Sequence, residues 1–581
     1  MRRLLLLSTL TLLLAAPAHA ETRMLWPGVT YRTDVQLTPG GPVVINVITA
    51  PRPGGTTMLA PVLSTDTVVG RETLTGMQRR LAGSATTAGV NGDLFSLETG
   101  RPSGMFMRDG ELQSPPNPNR SSAGILSDGT LDIRRVTWRG TWQSVLGRRV
   151  VARLNAPPPA SGSALFTPAY GPTTPKLSSG TAVVLFPFPY ASPGVDLEAP
   201  VVESRPAGPG VPIPLGGAVL VGRGSSAGAL AADALLGETL TVRLALEPDW
   251  PGLVSATGGG PRIVRDGAPV FDAGEQFTAP QLVPPAPRSA VGQLADGRIV
   301  LVAVDGRQPG YSVGLTNFQL ARALVRFGAV TGMALDGGGS TTMAFDGSVL
   351  NQPSDGRERA IASALMLLYT GVYAAEPLPV VSPDGDGDRD VQRLSYRIVR
   401  PSTVEVSLVA PGGGVAFAES AELPPGSYPV AFPPPDAVAP LDPTVPPPPA
   451  EGSWTLRITA TDDLGQPSTM SRQFVVNTTL GFLRAERTVL FLPRSGRDFR
   501  FGWRLSRPAR VTVRVETPDG GLVQRLAQRQ FPAGDASVVW TGLQPDGKRV
   551  KGGRYQVRVV ARNALGRLEQ VVRFRVQRTA R

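Results

Sequence analysis

The chain has 581 residues, with 58 Lys and Arg against 46 Asp and Glu, one His and no Cys. That length leaves room for three or four domains, and 41% hydrophobic residues supply sizeable cores. Without cysteine there are no disulfides and no thiolate chemistry, so stability must come from burial.

Met1-Arg2-Arg3, an apolar run from Leu4 to Leu14, and Ala18-His19-Ala20 give a charged n-region, an h-region and a small-x-small cleavage site. Residues 1–20 are therefore predicted to be a secretory signal peptide. An uncleaved anchor is the competing reading, but the apolar run is short for a membrane span. Removing Arg2 and Arg3 lowers the formal charge from +12 to about +10, since 12 − 2 = 10, and removes His19, the single histidine. The remaining chain excludes Ser-His-Asp and Cys-His catalysis and every thiolate or imidazole zinc site. Acid–base work falls to Asp, Glu, Tyr, Lys or water. Any metal must be held by oxygen, which favours calcium or magnesium. The basic residues are mostly Arg and scattered along the sequence. An anionic envelope polymer fits that charge, and so does plain solubility. A secreted chain predicts no nucleic-acid partner.

Three regions follow. Residues 21–376 mix strand and helix signals with many Gly and Pro turns. In Ala88–Phe95 an apolar lead-in ends at Asn91-Gly92-Asp93, which can turn polar groups into a cleft or form a simple turn. Gly258-Gly259-Gly260-Pro261 offers a second glycine run. Pro287-Arg288-Ser289-Ala290-Val291-Gly292 precedes Ile299–Val304, which has no polar residue and predicts a strand buried on both faces. Asp305 and Arg307 emerge at its C-terminal end. Arg288 is suited to a bidentate pair with phosphate or carboxylate, or to a structural ion pair.

Thr316 and Gln319 have capping-box spacing, Leu320, Leu324, Val325 and Phe327 form a helical stripe, and Gly328 is placed to end it. Met333–Leu335 then predicts a short strand feeding Asp336. The stretch Asp336-Gly337-Gly338-Gly339-Ser340-Thr341 joins an acid, a glycine run able to form an anion-binding nest, and hydroxyls. Asn351–Asp355 and Arg357-Glu358-Arg359 complete it. Residues 360–375 are weakly apolar, too short and too polar to span a membrane, and predict a buried strand.

Ser382–Asp390 places carboxylates at Asp384, Asp386, Asp388 and Asp390. Such alternation can wrap oxygens around calcium, or it can be a polar linker. With no closing Glu and no flanking helices it is not an EF-hand. Beyond it, residues 377–480 and 481–581 predict all-β modules. Leu394–Val406 matches Phe501–Val513, and Gly452–Ala460 matches Gly553–Ala561. Both place alternating strands between turn residues, the pattern of a β-sandwich. The first carries a proline-rich insertion, 433–449, expected to be a stiff exposed loop.

Two resemblances follow from these motifs. Val538–Tyr555, with its Trp540, Asp546-Gly547 turn and Gly553-x-Tyr555 strand start, resembles the immunoglobulin-like domain first described in the flagellar hook-capping protein. The earlier module resembles it less closely. The ordered set Asn91-Gly92, Gly260-Pro261, Pro287–Gly292, Asp305-Gly306, Leu335–Ser340 and Pro353-Ser354 with Arg359 resembles the phosphodiester glycosidase family, over most of residues 60–370. That family includes the animal enzyme N-acetylglucosamine-1-phosphodiester α-N-acetylglucosaminidase, whose cysteines and EGF-like tail this chain lacks. Residues 135–250 match only loosely and are candidates for specificity.

The resemblance implies an α+β catalytic domain with a mixed, strand-rich core, followed by two sandwiches. It implies hydrolysis of the sugar C1–O bond in a sugar-1-phosphodiester of an envelope or extracellular glycan, with no required cofactor. Asp336 is the leading catalytic carboxylate, with Asp305 and Asp93 competing as its partner. Arg288 and Arg359 are expected to hold phosphate, Asn91 and Gly92 to meet the sugar, and Gly337, Gly338, Gly339, Ser340 and Thr341 to shape the pocket. A non-catalytic carbohydrate-binding protein and an exopolysaccharide assembly or modification factor are the alternatives. The expected location is periplasmic, cell-surface or extracellular.

Overall fold

The computed structural model describes residues 22–270, 274–434, 449–492 and 499–578. The signal-peptide segment and nearly all of the proline-rich insertion lie outside these residues. Packing divides the chain into two units, one ending at Tyr369 and one beginning at Thr370.

The first unit is strand-rich. One eight-stranded antiparallel sheet runs in the order 23–26, 29–38, 41–50, 299–304, 288–294, 329–334, 262–265, 268–269. Its central strand is Ile299–Val304, and all six residues are fully buried. The predicted two-sided burial is therefore met, but in an antiparallel sheet. Helix Asn317–Arg326 covers this sheet. Thr316 Oγ1 accepts from Gln319 N at 3.1 Å, and Gln319 Oε1 accepts from Thr316 N at 2.9 Å, so the capping box forms. Gly328 ends the helix at φ +93°, a conformation that costs glycine little. Leu320 and Leu324 pack with Ile45, Val300 and Val302, and each buried leucine contributes about 1.5–3 kcal/mol.

Two five-stranded sheets complete the frame around the motifs. One has the order 348–349, 343–345, 86–91, 363–369, 57–63. Its strand Ser363–Tyr369 is wholly buried, as the apolar run predicts. The other has the order 111–114, 106–108, 253–258, 122–126, 131–134. The loosely matching stretch forms a second eight-stranded sheet between Thr137 and Glu247, with a core including Trp142, Leu197 and Val242. No helix among the described residues is long and apolar enough to cross a membrane.

The second unit repeats one topology. A three-stranded sheet (373–374, 394–398, 426–430) accompanies a five-stranded sheet ordered 380–381, 467–476, 452–462, 402–409, 415–423. The same plan recurs as 480–485, 499–505, 534–540 and as 489–492, 566–578, 553–563, 509–516, 522–531.

Candidate functional site

Three sheets send strand ends to one place. Strand Thr86–Asn91 delivers Asp93, strand Ala329–Ala334 delivers Asp336, and strand Leu253–Gly258 delivers the glycine run ending at Gly260. The strand before Asp336 begins earlier than the sequence suggests, and its last residue is Ala334. Asp336 N donates to Gly92 O at 3.0 Å, and Gly260 N donates to Ala334 O at 2.9 Å. Those bonds lock the three ends together.

Asn91 is the fastener. It is fully buried, donates through Nδ2 to Asp336 O at 2.6 Å, and accepts at Oδ1 from Ser289 Oγ at 2.6 Å and Thr342 N at 3.2 Å. The expected contact with sugar hydroxyls is corrected, because its amide is already committed to the backbone that carries Asp336. Gly92 is required by closeness. A Cβ there would stand 2.6 Å from Ser363 Oγ.

Asp93 is 2% exposed. Gly104 N donates to its Oδ2 at 2.7 Å, while its Oδ1 is buried with no partner. Burial pushes its pKa up to about 7, against the pull of Arg120 and the Gly104 amide, and Asp336 adds a like charge. Asp336 is partly exposed. Burial raises its pKa to about 6, opposed by Ser340, Arg359 and the Gly337 amide. Ser340 acts on it without the geometry of a full hydrogen bond, since its hydroxyl is buried and unpartnered, as are those of Thr341 and Thr342.

The glycine run does not form an open anion nest. Gly338 N donates to Pro287 O at 2.9 Å, Ser340 N to Gly337 O at 3.3 Å, and Thr341 N to Gly338 O at 3.1 Å. Its glycines instead let cations come close. A Cβ on Gly338, whose φ is +62°, would lie 3.2 Å from Arg307 Nη2, and one on Gly339 would collide with the Arg359 guanidinium. Arg359 pairs with Asp355 at 2.7 Å, both half-exposed.

Arg288 lines the same cavity of about 210 Å³ as Asp336, Gly337, Gly338, Arg307 and Phe277. Its guanidinium is already used. Nε donates to Leu315 O at 2.9 Å, Nη1 to Gln281 O at 2.6 Å, and Nη2 to Pro284 O at 2.9 Å. Burial, then the nearby Arg307, lowers its pKa to about 10. The expected phosphate grip is thus corrected to a wall-building role. Asp305 is corrected as well. It is 1% exposed and accepts from Asn351 Nδ2 at 2.8 Å, Gln352 N at 3.0 Å, Tyr311 OH at 3.1 Å and Asn46 Nδ2 at 3.2 Å. Such a saturated carboxylate ties loops together and has no oxygen free for a substrate.

The sequence reading missed Arg120. Its Nε and Nη1 are buried and unpartnered, and it acts electrostatically on both Asp93 and Asp336. Its guanidinium carbon lies 4.9 Å from the centre of the Phe277 ring. Glu275 holds the adjoining backbone, accepting from Ser121 N at 2.8 Å, Ser121 Oγ at 2.7 Å and Arg262 N at 2.8 Å. Asn117-Pro118-Asn119 before it signals only a turn, so nothing local marks Arg120.

In the second unit, Asp384, Asp386 and Asp390 bring carboxylate oxygens within 4.8 Å of one another. Asp388 stands outside that group. Burial, with like charge from Asp386 and Asp390, raises Asp384 to about 6. This oxygen-only set fits calcium in kind. Asp386 also accepts from Phe482 N at 2.6 Å and Gln570 Nε2 at 2.5 Å, which belong to the last sandwich.

Residues 194–368 match the sequence model of the phosphodiester glycosidase family, and residues 493–564 that of the FlgD Ig-like domain. The glycosidase match starts after Asn91, Asp93 and Arg120, which the fold brings back to the matched segment. A SPbeta prophage-derived uncharacterized protein of Bacillus subtilis, YomE, is 40% identical over 83 residues, 14% of this chain and 13% of its own length. The shared stretch is thus a small part of either protein. A solved hypothetical protein from Synechocystis aligns over 61% of this chain and 64% of its own, with 24% identity and a TM-score of 0.51, which supports a shared fold. The catalytic domain of zebrafish N-acetylglucosamine-1-phosphodiester alpha-N-acetylglucosaminidase, auto-inhibited by its pro-peptide, aligns over 59% of this chain and 82% of its own. There the identity is 16% and the TM-score 0.32, too low to carry an argument.

Proposed function

We propose that the phosphodiester glycosidase domain of this chain is a secreted hydrolase, cleaving the sugar C1–O bond of a sugar-1-phosphodiester in an envelope or extracellular glycan. One observation carries the reading. Two carboxylates from separate sheets, Asp93 and Asp336, share a buried site with an unpartnered carboxylate oxygen and an unpartnered arginine. Buried groups left without partners in this way call for a polar occupant.

Both carboxyls are pushed up by burial, Asp93 further than Asp336, and that order supports one division of roles. Between about pH 6 and 7 Asp336 is ionised while Asp93 keeps its proton. Asp336 then stabilises or attacks the positive charge growing at C1. Asp93 gives its proton to the departing phosphate oxygen as the C1–O bond breaks. Arg120 and Arg359 balance the charge on that phosphate. Water completes the cleavage, leaving a free sugar and a phosphate monoester.

In the same reading the domain is α+β in class, and both C-terminal sandwiches are immunoglobulin-like. The boundaries are 21–376, 377–480 and 481–581. Calcium sits between Asp384, Asp386 and Asp390, and the hydrolysis itself requires no cofactor. The test is release of free sugar from a synthetic N-acetylglucosamine-1-phosphodiester, followed by proton NMR with the Asp336→Asn protein as control. Turnover that survives unchanged in that variant sinks the assignment.

A further inference from the structure

Arginines scattered through the last 70 residues converge on one surface. In the five-stranded sheet of the last sandwich, the three central strands turn Val511, Val513, Val557, Val559, Leu568 and Phe574 into the core. Alternate residues face outward. Register places Arg510 opposite Arg562, and Arg562 opposite Arg567, so three arginines form a row across three strands. A second row runs Arg525, Arg514, Arg558. At the far end Arg554 stands opposite Arg575, with Arg573 two residues away on the same face.

Like charges placed directly opposite each other destabilise a sheet. The acids on the three central strands relieve little of this. Among the described residues, the only ion pairs on this face join Arg558 to Glu516 and Glu569, and Arg567 to Glu569. Arg514 Nε is buried without a partner. Strand spacing puts neighbouring arginines of a row roughly 5 Å apart and successive rows, four residues apart, roughly 14 Å apart.

The preceding sandwich is an internal control. Its equivalent positions carry Thr403, Ser407, Thr461, Ser453 and Gln473 where the last has Arg510, Arg514, Arg562, Arg554 and Arg573. Only Arg457 matches, at the place of Arg558. The topology does not need arginine there.

We propose that this face docks an anionic polysaccharide, whose repeated phosphate, sulfate or carboxylate groups pair with the arginine rows. Arginine's planar fork suits such groups. Between the charges the central strands carry Thr512, Val571 and the buried Gln556 and Val560, and no aromatic ring. That lacks the stacking platform single-stranded nucleic acid uses, and it lacks an apolar wedge for lipid. Choosing a glycan among polyanions rests on the hydrolase reading above.

The experiment measures binding of the full chain to heparin and to polygalacturonate by biolayer interferometry, at about 50 and about 200 mM salt. It compares wild type with Arg510→Thr/Arg514→Ser/Arg562→Thr, the residues that the sister module carries in the same register. The expected result is at least about tenfold weaker binding for the variant, with a salt dependence shallower by about two charges. Duplex DNA and phosphatidylglycerol vesicles are run alongside. Wild type ignoring both polysaccharides overturns the proposal, as does a variant that binds equally well. So does tighter binding to DNA or vesicles. If the variant melts early, the wild-type salt series decides alone: binding that does not weaken with salt overturns it. Hydrolysis of a small sugar-1-phosphodiester stays unchanged in the variant, so the two readings fail separately.

Discussion

The molecule uses charge in two opposite ways. At the cleft around Asp93 and Asp336, a few charges are buried and left short of partners. On the outer sheet of the last sandwich, many charges of one sign stand in water. Burial makes a charge expensive and shifts its pKa, so the cleft should respond to pH and little to salt. Exposure leaves arginine fully charged but screened, so the sheet should respond to salt and little to pH. The contrast separates buried charge, which answers to pH, from exposed charge, which answers to salt.

The strongest way to break the comparison is Asp336→Asn. Turnover of a sugar-1-phosphodiester should fall about 10³-fold or more, with the fold intact by circular dichroism. Asp93→Asn should cost about 10²–10⁴ in kcat. In wild type, kcat/KM should peak between about pH 6 and 7, falling below as Asp336 is protonated and above as Asp93 loses its proton. The Asp93→Asn profile should lose the alkaline limb.

Stability supplies a second readout. The folded pKa of Asp93 lies above its unfolded value, so its contribution is fully present below about pH 4 and lost as pH rises through about 7. Asp93→Asn should therefore raise Tm by several degrees at pH 8 and change it little at pH 4. Equal shifts at both pH values would contradict the buried-charge account.

Arg120→Met should lower kcat/KM for a phosphodiester by about 10²-fold, and much less for a neutral aryl glycoside. That difference distinguishes a phosphate contact from a merely structural one. The smallest effect concerns the acidic loop. Calcium should raise Tm by a few degrees in wild type, and not in Asp384→Asn/Asp386→Asn. An equal rise in both proteins would remove calcium from that loop.

Local patterns carried the regular elements well. The capping box at Thr316 and Gln319, the all-apolar strand Ile299–Val304 and the repeat between the two sandwiches each follow from spacing alone. Asp93 and Asp336 were legible because acids after apolar runs mark strand ends. Arg288, Asp305 and Asn91 looked equally functional in sequence. Some of their hydrogen-bond partners, among them Leu315 O for Arg288, Asn351 Nδ2 for Asp305 and Ser289 Oγ for Asn91, come from other elements of the fold, and no local pattern shows that these groups are committed. The glycine run after Asp336 suggested an anion nest, but Gly338 N closes on Pro287 O, and Ser340 N and Thr341 N close on carbonyls of the run itself.

The sequence by itself determined that, once His19 is set aside, neither imidazole nor thiol is present, so acid–base chemistry falls to Asp, Glu, Tyr, Lys or water. It also determined the strand and helix periods and the repeated β-modules. Only the tertiary structure decided which carboxylates are free, that Arg120 joins them, and that arginines spread over the last 70 residues share one face. The reason is that residue type and period are local, whereas a polar group is free or committed according to neighbours that the fold brings from elsewhere in the chain.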